Sequence, residues 1–317
     1  MNSGFKYSNT NKRYHTYSYY LKQKYQQKVF RIPIDAGFSC PNRDGTCGYG
    51  GCSFCSAAGS GDAIIGESID QQIRSGFEIM RNKWPDGLAI AYFQAYTNTH
   101  ADLETLKRLY QPFVEDDRFV EIIIATRSDA LDQDKINFFQ ELAKKKPVWI
   151  ELGLQSIHPQ TSEYINRGHD LDNFVEIVEL LAKTDIKIGV HIINGLPYET
   201  KEMMLETAKF VANLPIYGIK IHMFHVLKQT LEALRYKKHQ YPLLTRDEYV
   251  EITTEQLLHL PAEMIILRIT GDGLSKDLIA PKWTIKKVQV TNEIDKKLAR
   301  ENNYQGKLYR KHQSTDS

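Results

Sequence analysis

The chain has 317 residues, 42% of them hydrophobic, and a mean hydropathy of −0.44, which is ample for a buried core in one large domain or two modest ones. No apolar run approaches the ~18 residues of a membrane span, and the opening MNSGFKYSNTNKRYHTYSYY lacks the apolar stretch of a signal peptide. A cytoplasmic globular protein with no membrane partner is expected, and the lack of repeats or low-complexity tracts excludes a solenoid or a disordered chain.

Residues 1–34 carry seven cations (Lys6, Lys12, Arg13, Lys22, Lys24, Lys28, Arg31) and no acid, interleaved with Phe5, Tyr7, Tyr14, Tyr17, Tyr19, Tyr20, Tyr25 and Phe30. Cations track phosphates and rings stack on unpaired bases, so the segment reads as an RNA contact. β-Branched runs then alternate with helical periods. The strands fall at 29–34, 88–95, 119–126, 148–154, 186–193 and 216–226. Between them Ile69, Ile73, Phe77 and Met80 recur at helical spacing, as do Leu103, Leu106 and Phe113, then Ile136, Phe139, Leu142 and Ala143. Phe174, Ile177, Val178 and Leu181 follow, then Met203, Leu205, Ala208 and Val211. Six strand–helix units predict an α/β parallel sheet. Polar or Gly-rich clusters follow nearly every strand, which favours an incomplete (β/α)6 TIM-type barrel with its site at the strand C-termini. A helix over 246–259, a possible seventh strand over 264–270 and a basic tail complete the chain. The tail, 282–317, has nine cations (Lys282, Lys286, Lys287, Lys296, Lys297, Arg300, Lys307, Arg310, Lys311) against four acids. The net charge of +2 therefore hides two basic ends around an acidic middle. The expected division is a basic N-terminal segment (1–28), the barrel core (29–260) and a C-terminal extension (261–317).

All four cysteines fall in one glycine-rich loop just past the first strand, spaced Cys40-x6-Cys47-x4-Cys52-x2-Cys55. Such crowding without an export signal suits a metal better than disulfides. Spacing alone leaves a structural zinc knot and an iron–sulfur cluster both open. Other polar residues sit at strand ends. Glu151 lies between Ile150 and Leu152, so its charge either points outward or meets a ligand. His191, His222 and His225 read first as core histidines. In a regular strand His222 and His225 face opposite sides, whereas Lys220 and His222 share one.

The loop's closing unit, Cys52-Ser53-Phe54-Cys55, resembles that of radical S-adenosylmethionine (SAM) enzymes. DAGFSCPNRDGT, YFQAYTNT, ATRSDAL, ELGLQSIHPQT with INRGHD, INGLPYET, and ITGDG with APKW, in that order, are similar to the YhcC/YtqA-like bacterial group related to the Elongator catalytic subunit. The superfamily's usual C-x3-C-x2-C is departed from here by a longer first interval, Cys40-x11-Cys52. The resemblance implies a radical SAM barrel in which Cys40, Cys52 and Cys55 hold a [4Fe–4S] cluster; Cys47 with Cys52 and Cys55, spaced C-x4-C-x2-C, is the alternative set, and Cys40 is preferred because it ends the strand, which leaves Cys47 a bystander. SAM would chelate the open iron and be cleaved to methionine and a 5′-deoxyadenosyl radical that abstracts a substrate hydrogen. The implied SAM contacts are Phe54, Gln94, Thr97, Asn98, Arg127 (with Asp129), Glu151, Gln155 (with Ser156) and Arg167, whose guanidinium suits the SAM carboxylate. Lys220, His222 and Arg268, with Thr270 and Asp272 behind them, are the substrate-side candidates. The implied partners are tRNA and an electron donor such as flavodoxin or ferredoxin. The implied reaction is at the C5 side chain of wobble uridine, with conversion of carboxymethylaminomethyl to aminomethyl as its sharpest form. A radical SAM enzyme of small metabolites or peptides, and a noncatalytic zinc-bearing RNA-binding protein, stand as alternatives.

Overall fold

The computed structural model describes residues 3–59, 61, 64–239, 241–271 and 275–310; the tail's Lys311 and the expected contact Asp272 lie outside the described residues. In chain order the elements are α1 (Tyr17–Tyr25), β1 (Val29–Ile34), α2 (Ile69–Arg81), β2 (Leu88–Phe93), α3 (Leu103–Glu115), β3 (Phe119–Thr126), α4 (Gln133–Ala143) and β4 (Val148–Gln155). They continue with α5 (Pro159–Tyr164), α6 (Leu171–Leu181), β5 (Lys187–Asn194), α7 (Lys201–Ala212), β6 (Gly218–Met223), β7 (Val226–Leu227) and α8 (Leu231–His239). The last are α9 (Arg246–His259), β8 (Ile265–Arg268), β9 (Leu278–Ala280) and α10 (Lys287–Arg300).

Seven parallel strands form one curled sheet in the order β1-β2-β3-β4-β5-β6-β8. Alternation along the strands splits the apolar side chains between two faces. Outward residues such as Ile32, Ile122, Leu152, Val190 and Ile219 pack with Phe77, Leu106, Phe139, Phe174 and Ala208 of the helices. The helices are capped as their sequences require: Ser68 and Thr245 close capping boxes, and Asp102, Asp132, Asp170 and Thr200 each accept from the N3 amide. The expected seventh strand is β8, paired Gly218↔Ile265 and Lys220↔Arg268 across a register shift.

The run read as one strand over 216–226 is two elements. β6 ends at Met223, where the Phe224 amide turns to the Asn194 carbonyl (2.9 Å), and β7 pairs antiparallel with β9 instead. The break lets His222 and His225 reach the same cavity, which an unbroken strand would not allow.

The aromatic N-terminal segment plugs the inner face of the sheet. Tyr17 and Leu21 of α1 pack with Val29, Ile90, Ile123, Trp149 and Ile265. Buried Glu121 lies beneath, accepting from Lys24 Nζ (2.6 Å), the Tyr25 hydroxyl (2.8 Å) and Trp149 Nε1 (3.0 Å). Arg31 stacks 4.4 Å from the Tyr17 ring centroid. Several rings and cations expected at RNA are thus spent on the fold: Tyr14, Tyr17 and Phe30 are buried, and Lys24 and Arg31 are engaged. The basic tail is also partly neutralised, since Lys297 bridges Glu251 and Glu301 (2.6 Å each) and Lys296 pairs with Glu293 (2.9 Å).

Candidate active site

β1 runs into the cysteine loop, which two tight turns shape. The Cys40 carbonyl accepts the Arg43 amide (2.7 Å), and the Cys52 carbonyl accepts the Cys55 amide (3.0 Å). The segment after α5 clamps the loop from outside. Ser53 N–H donates to the Ile165 carbonyl (2.8 Å), Asn166 Nδ2 to the Gly51 carbonyl (2.9 Å), and buried Asn42 Nδ2 to the Asn166 carbonyl (2.5 Å). Gly168 completes the clamp at φ +81°, where a Cβ would stand 2.8 Å from Asn42 Oδ1. Gly168→Ala is therefore expected to lose about 1–3 kcal/mol of stability and to loosen the loop, read by thermal unfolding together with iron retention.

Cys40, Cys52, Cys55 and Phe54 form one wall of a cavity of about 280 Å³ at the strand C-termini. Gln94 and Thr97 reach it from the end of β2, Arg127 from β3, Glu151 and Gln155 from β4, and Arg167 from the clamp. Lys220 and His222 of β6 and Arg268 of β8 face it from the other side. Phe54 also packs with Ile193, Phe224 and Val226, so it anchors the loop and lines the cavity at once. A register shift between Gly153 and Gln155, with Gln155 at φ +66°, turns that side chain inward.

Two residues stand elsewhere. Asn98 does not line the cavity; it is fully buried and its Nδ2 donates to the carbonyls of Phe93 (3.1 Å), Ala95 (3.0 Å) and Ala125 (2.9 Å), tying β2 to β3. Cys47 is exposed and outside the cavity wall, its Sγ 3.7 Å from Arg127 Nη2. The two arginines are also more committed than a free carboxylate fork. Arg167 donates Nη1 to the Leu154 and Ser156 carbonyls (2.7 Å each) and Nε to the His169 carbonyl (3.0 Å); burial lowers its pKa to about 10. Arg127 grips Asp129 through Nε (2.9 Å) and Nη2 (2.7 Å) and donates Nη1 to the Arg167 carbonyl (2.7 Å). Ser156 is likewise engaged, donating its hydroxyl to Glu199, and Thr270 is buried next to the cavity's Gly271.

The deep end of the cavity holds a buried charge network. Glu151 points inward, and its Oε2 accepts from Lys220 Nζ (2.5 Å) and His191 Nε2 (3.0 Å). Lys220 also donates to the Tyr92 hydroxyl (2.7 Å). Burial alone would raise the Glu151 pKa, but Lys220 and then His191 outweigh it and hold the carboxyl well below its usual range. Oε1 of Glu151 and Nε2 of His222 are buried with no hydrogen-bond partner among the described residues. Burial, then neighbouring His191, Arg268 and Lys220, keeps His222 neutral. Tyr92 was not singled out from sequence, because within LAIAYF it reads as one more apolar strand residue; its alternation with Ile90 and Gln94 was the available signal.

The donor set fits an iron–sulfur cluster. Three thiols line one cavity, and a cluster takes one thiolate per iron. Burial, then the neighbouring Cys55, pushes the Cys52 thiol up to about 12, so it ionises only against a cation bound beside it.

The family description "Radical SAM superfamily" matches residues 44–211, and "Radical_SAM C-terminal domain" matches 216–300. The chain belongs to the radical SAM superfamily. A radical SAM protein of this family uses a [4Fe–4S] cluster and SAM, which closes the choice between zinc and iron–sulfur. It is 47% identical to the uncharacterized protein YtqA of Bacillus subtilis over 98% of this chain and 97% of that one. It is 33% identical to protein YhcC of Escherichia coli over 88% and 90%. A more distant relative, the tRNA uridine(34) acetyltransferase of Methanocaldococcus jannaschii, is 26% identical over 49% of this chain and 29% of its own. Among solved structures, archaeal Elp3 from Methanocaldococcus infernus shares the fold at a TM-score of 0.64 and 17% identity, over 86% of this chain and 63% of that one. No helix among the described residues is long and apolar enough to cross a membrane.

Proposed function

We propose that this radical SAM enzyme modifies tRNA at the C5 side chain of wobble uridine, taking carboxymethylaminomethyl to aminomethyl. Bound together, the cluster and SAM supply hydrogen-atom abstraction at an unactivated carbon. The chain's own residues do the rest. Cys40, Cys52 and Cys55 hold the cluster; Phe54, Gln94, Thr97, Arg127, Gln155 and Arg167 border the adjoining space for SAM. The observation that carries the substrate reading is the pair of cations facing the cavity: Lys220, itself paired with Glu151, and Arg268 line the space where a carboxylate on the reacting side chain would lie, with neutral His222 beside them. The distant relationship to an enzyme of tRNA uridine 34 supports the base and its position. The N-terminal plug fills the opposite end of the sheet, so a nucleotide would enter from the strand C-terminal side. A flavodoxin or ferredoxin would supply the electron.

Mass spectrometry of tRNA nucleosides from a strain lacking the gene tests this. The expected result is accumulation of the carboxymethylaminomethyl nucleoside and disappearance of everything derived from the aminomethyl form. Unchanged wobble uridines would overturn the proposal.

A further inference from the structure

α8 follows the cavity residue Leu227 and abuts the cysteine loop that walls the cavity. Its Glu232 amide donates to the Ser53 carbonyl (2.8 Å), between Cys52 and Phe54 on the cavity wall. The Glu232 carboxylate is fully buried and accepts from the hydroxyls of Tyr164 (3.2 Å) and Tyr241. Arg235 lies 3.7 Å from the same carboxylate, donates to the Tyr164 carbonyl (2.6 Å) and stacks 4.4 Å from the Tyr164 ring centroid. That buried acid thus holds a cation and two tyrosines in fixed places. Tyr198, in the turn after β5, packs edge-on to Tyr164 (5.2 Å) and tilted on Tyr241 (6.0 Å), yet is 67% exposed. Lys237 and Lys238 of the same helix are exposed.

We propose that Tyr198, Arg235, Lys237 and Lys238 form the RNA-docking rim of the enzyme. The ring offers a face for an unpaired base beside the target, and the cations meet its phosphates. The inference rests on tRNA as the substrate, and it moves the interface from the basic termini to the residues beside the cysteine loop. An exposed ring beside cations matches a base joined to phosphates, whereas an acidic electron-donor protein would use the cations alone.

The test titrates unfractionated tRNA into the full-length, anaerobically reconstituted protein at several salt concentrations. Tyr198→Ala is expected to weaken binding about tenfold, the scale of one lost base stack, and Tyr198→Trp to retain it. Lys237→Ala with Lys238→Ala is expected to flatten the log–log salt dependence by about 1.4, from two lost phosphate contacts. Iron content and thermal midpoint confirm that each variant is folded. A terminal variant, Lys6→Ala with Lys22→Ala and Lys286→Ala, is expected to bind more tightly than either rim variant. If the rim variants bind tRNA as the wild type does, the rim assignment fails while the tRNA reading stands. That includes the case in which they lose only ferredoxin or flavodoxin binding. If the wild type binds no tRNA, the substrate reading itself fails, and the rim with it.

Discussion

Serine at Cys40, Cys52 or Cys55 is expected to strip the protein of its iron–sulfur cluster and to bring SAM cleavage to background, while Cys47→Ser keeps both. The loss should far exceed the 10–100-fold typical of changing a residue behind a metal ligand, because in the proposed assignment each of the three would hold its own iron. The contrast with Cys47 is what gives the experiment its force. All four thiols lie within sixteen residues, Cys40 to Cys55, and C-x4-C-x2-C from Cys47 is closer to the superfamily's usual spacing than the set chosen here. Geometry separates them: three line the cavity, and Cys47 sits exposed beside Arg127 and Asp129. Iron and sulfide content after anaerobic reconstitution, with the ultraviolet–visible spectrum, reads the outcome. Cluster loss in Cys47→Ser, or its retention in Cys40→Ser, would reverse the assignment.

Much of this site was legible in the chain before any coordinates. Strand and helix periods placed the sheet, and the ends of successive strands, read together with the family resemblance, named about half of the residues that line the cavity, because in a parallel barrel those ends converge whatever their distance in sequence. Asn98 shows the limit of that logic. It follows β2 as Gln94 and Thr97 do, but an amide buried between two strands serves the orphan carbonyls first. Glu151 shows another. Its sequence neighbours pose only two choices, outward or toward a ligand, since the lysine that meets it is 69 residues away on a strand two places over. The termini show a third. Counting charge along the chain made the ends basic and the middle acidic, yet the middle carries α8, where the one acid is buried and the cations remain outside. At the N-terminus the same aromatic-and-basic composition instead fills the base of the barrel. Composition records which side chains are present; burial decides which of them a partner can touch.

Lys220→Met is expected to cost the fold about 3–5 kcal/mol, a fall in thermal midpoint on the order of 10 °C. Glu151 and Lys220 are both buried, and their ion pair closes the deep end of the cavity. Removing the lysine leaves a buried carboxylate that keeps the His191 hydrogen bond and has an oxygen, Oε1, without a hydrogen-bond partner among the described residues. Folding holds the Glu151 pKa below its ordinary value of 4.5, so in the wild type its stabilisation is fully present above that pH and is lost as pH falls toward the folded value. In Lys220→Met the largest influence favouring the ionised carboxyl is gone while His191 and Arg31 remain, so burial lifts the Glu151 pKa above its wild-type position and the variant should lose less, relative to the wild type, at acid pH than near neutrality. Glu151→Leu with Lys220→Met should recover much of the stability, because an apolar pair of similar volume spares both desolvation costs. It should not recover substrate turnover if the proposed function holds, since the cation that would face the reacting side chain is gone. Thermal midpoints of the two variants against pH, set beside turnover of isolated tRNA, separate the two roles. Equal destabilisation of the single and double variants would show that the pair is not coupled, and a double variant with wild-type turnover would remove Lys220 from the substrate end of the cavity.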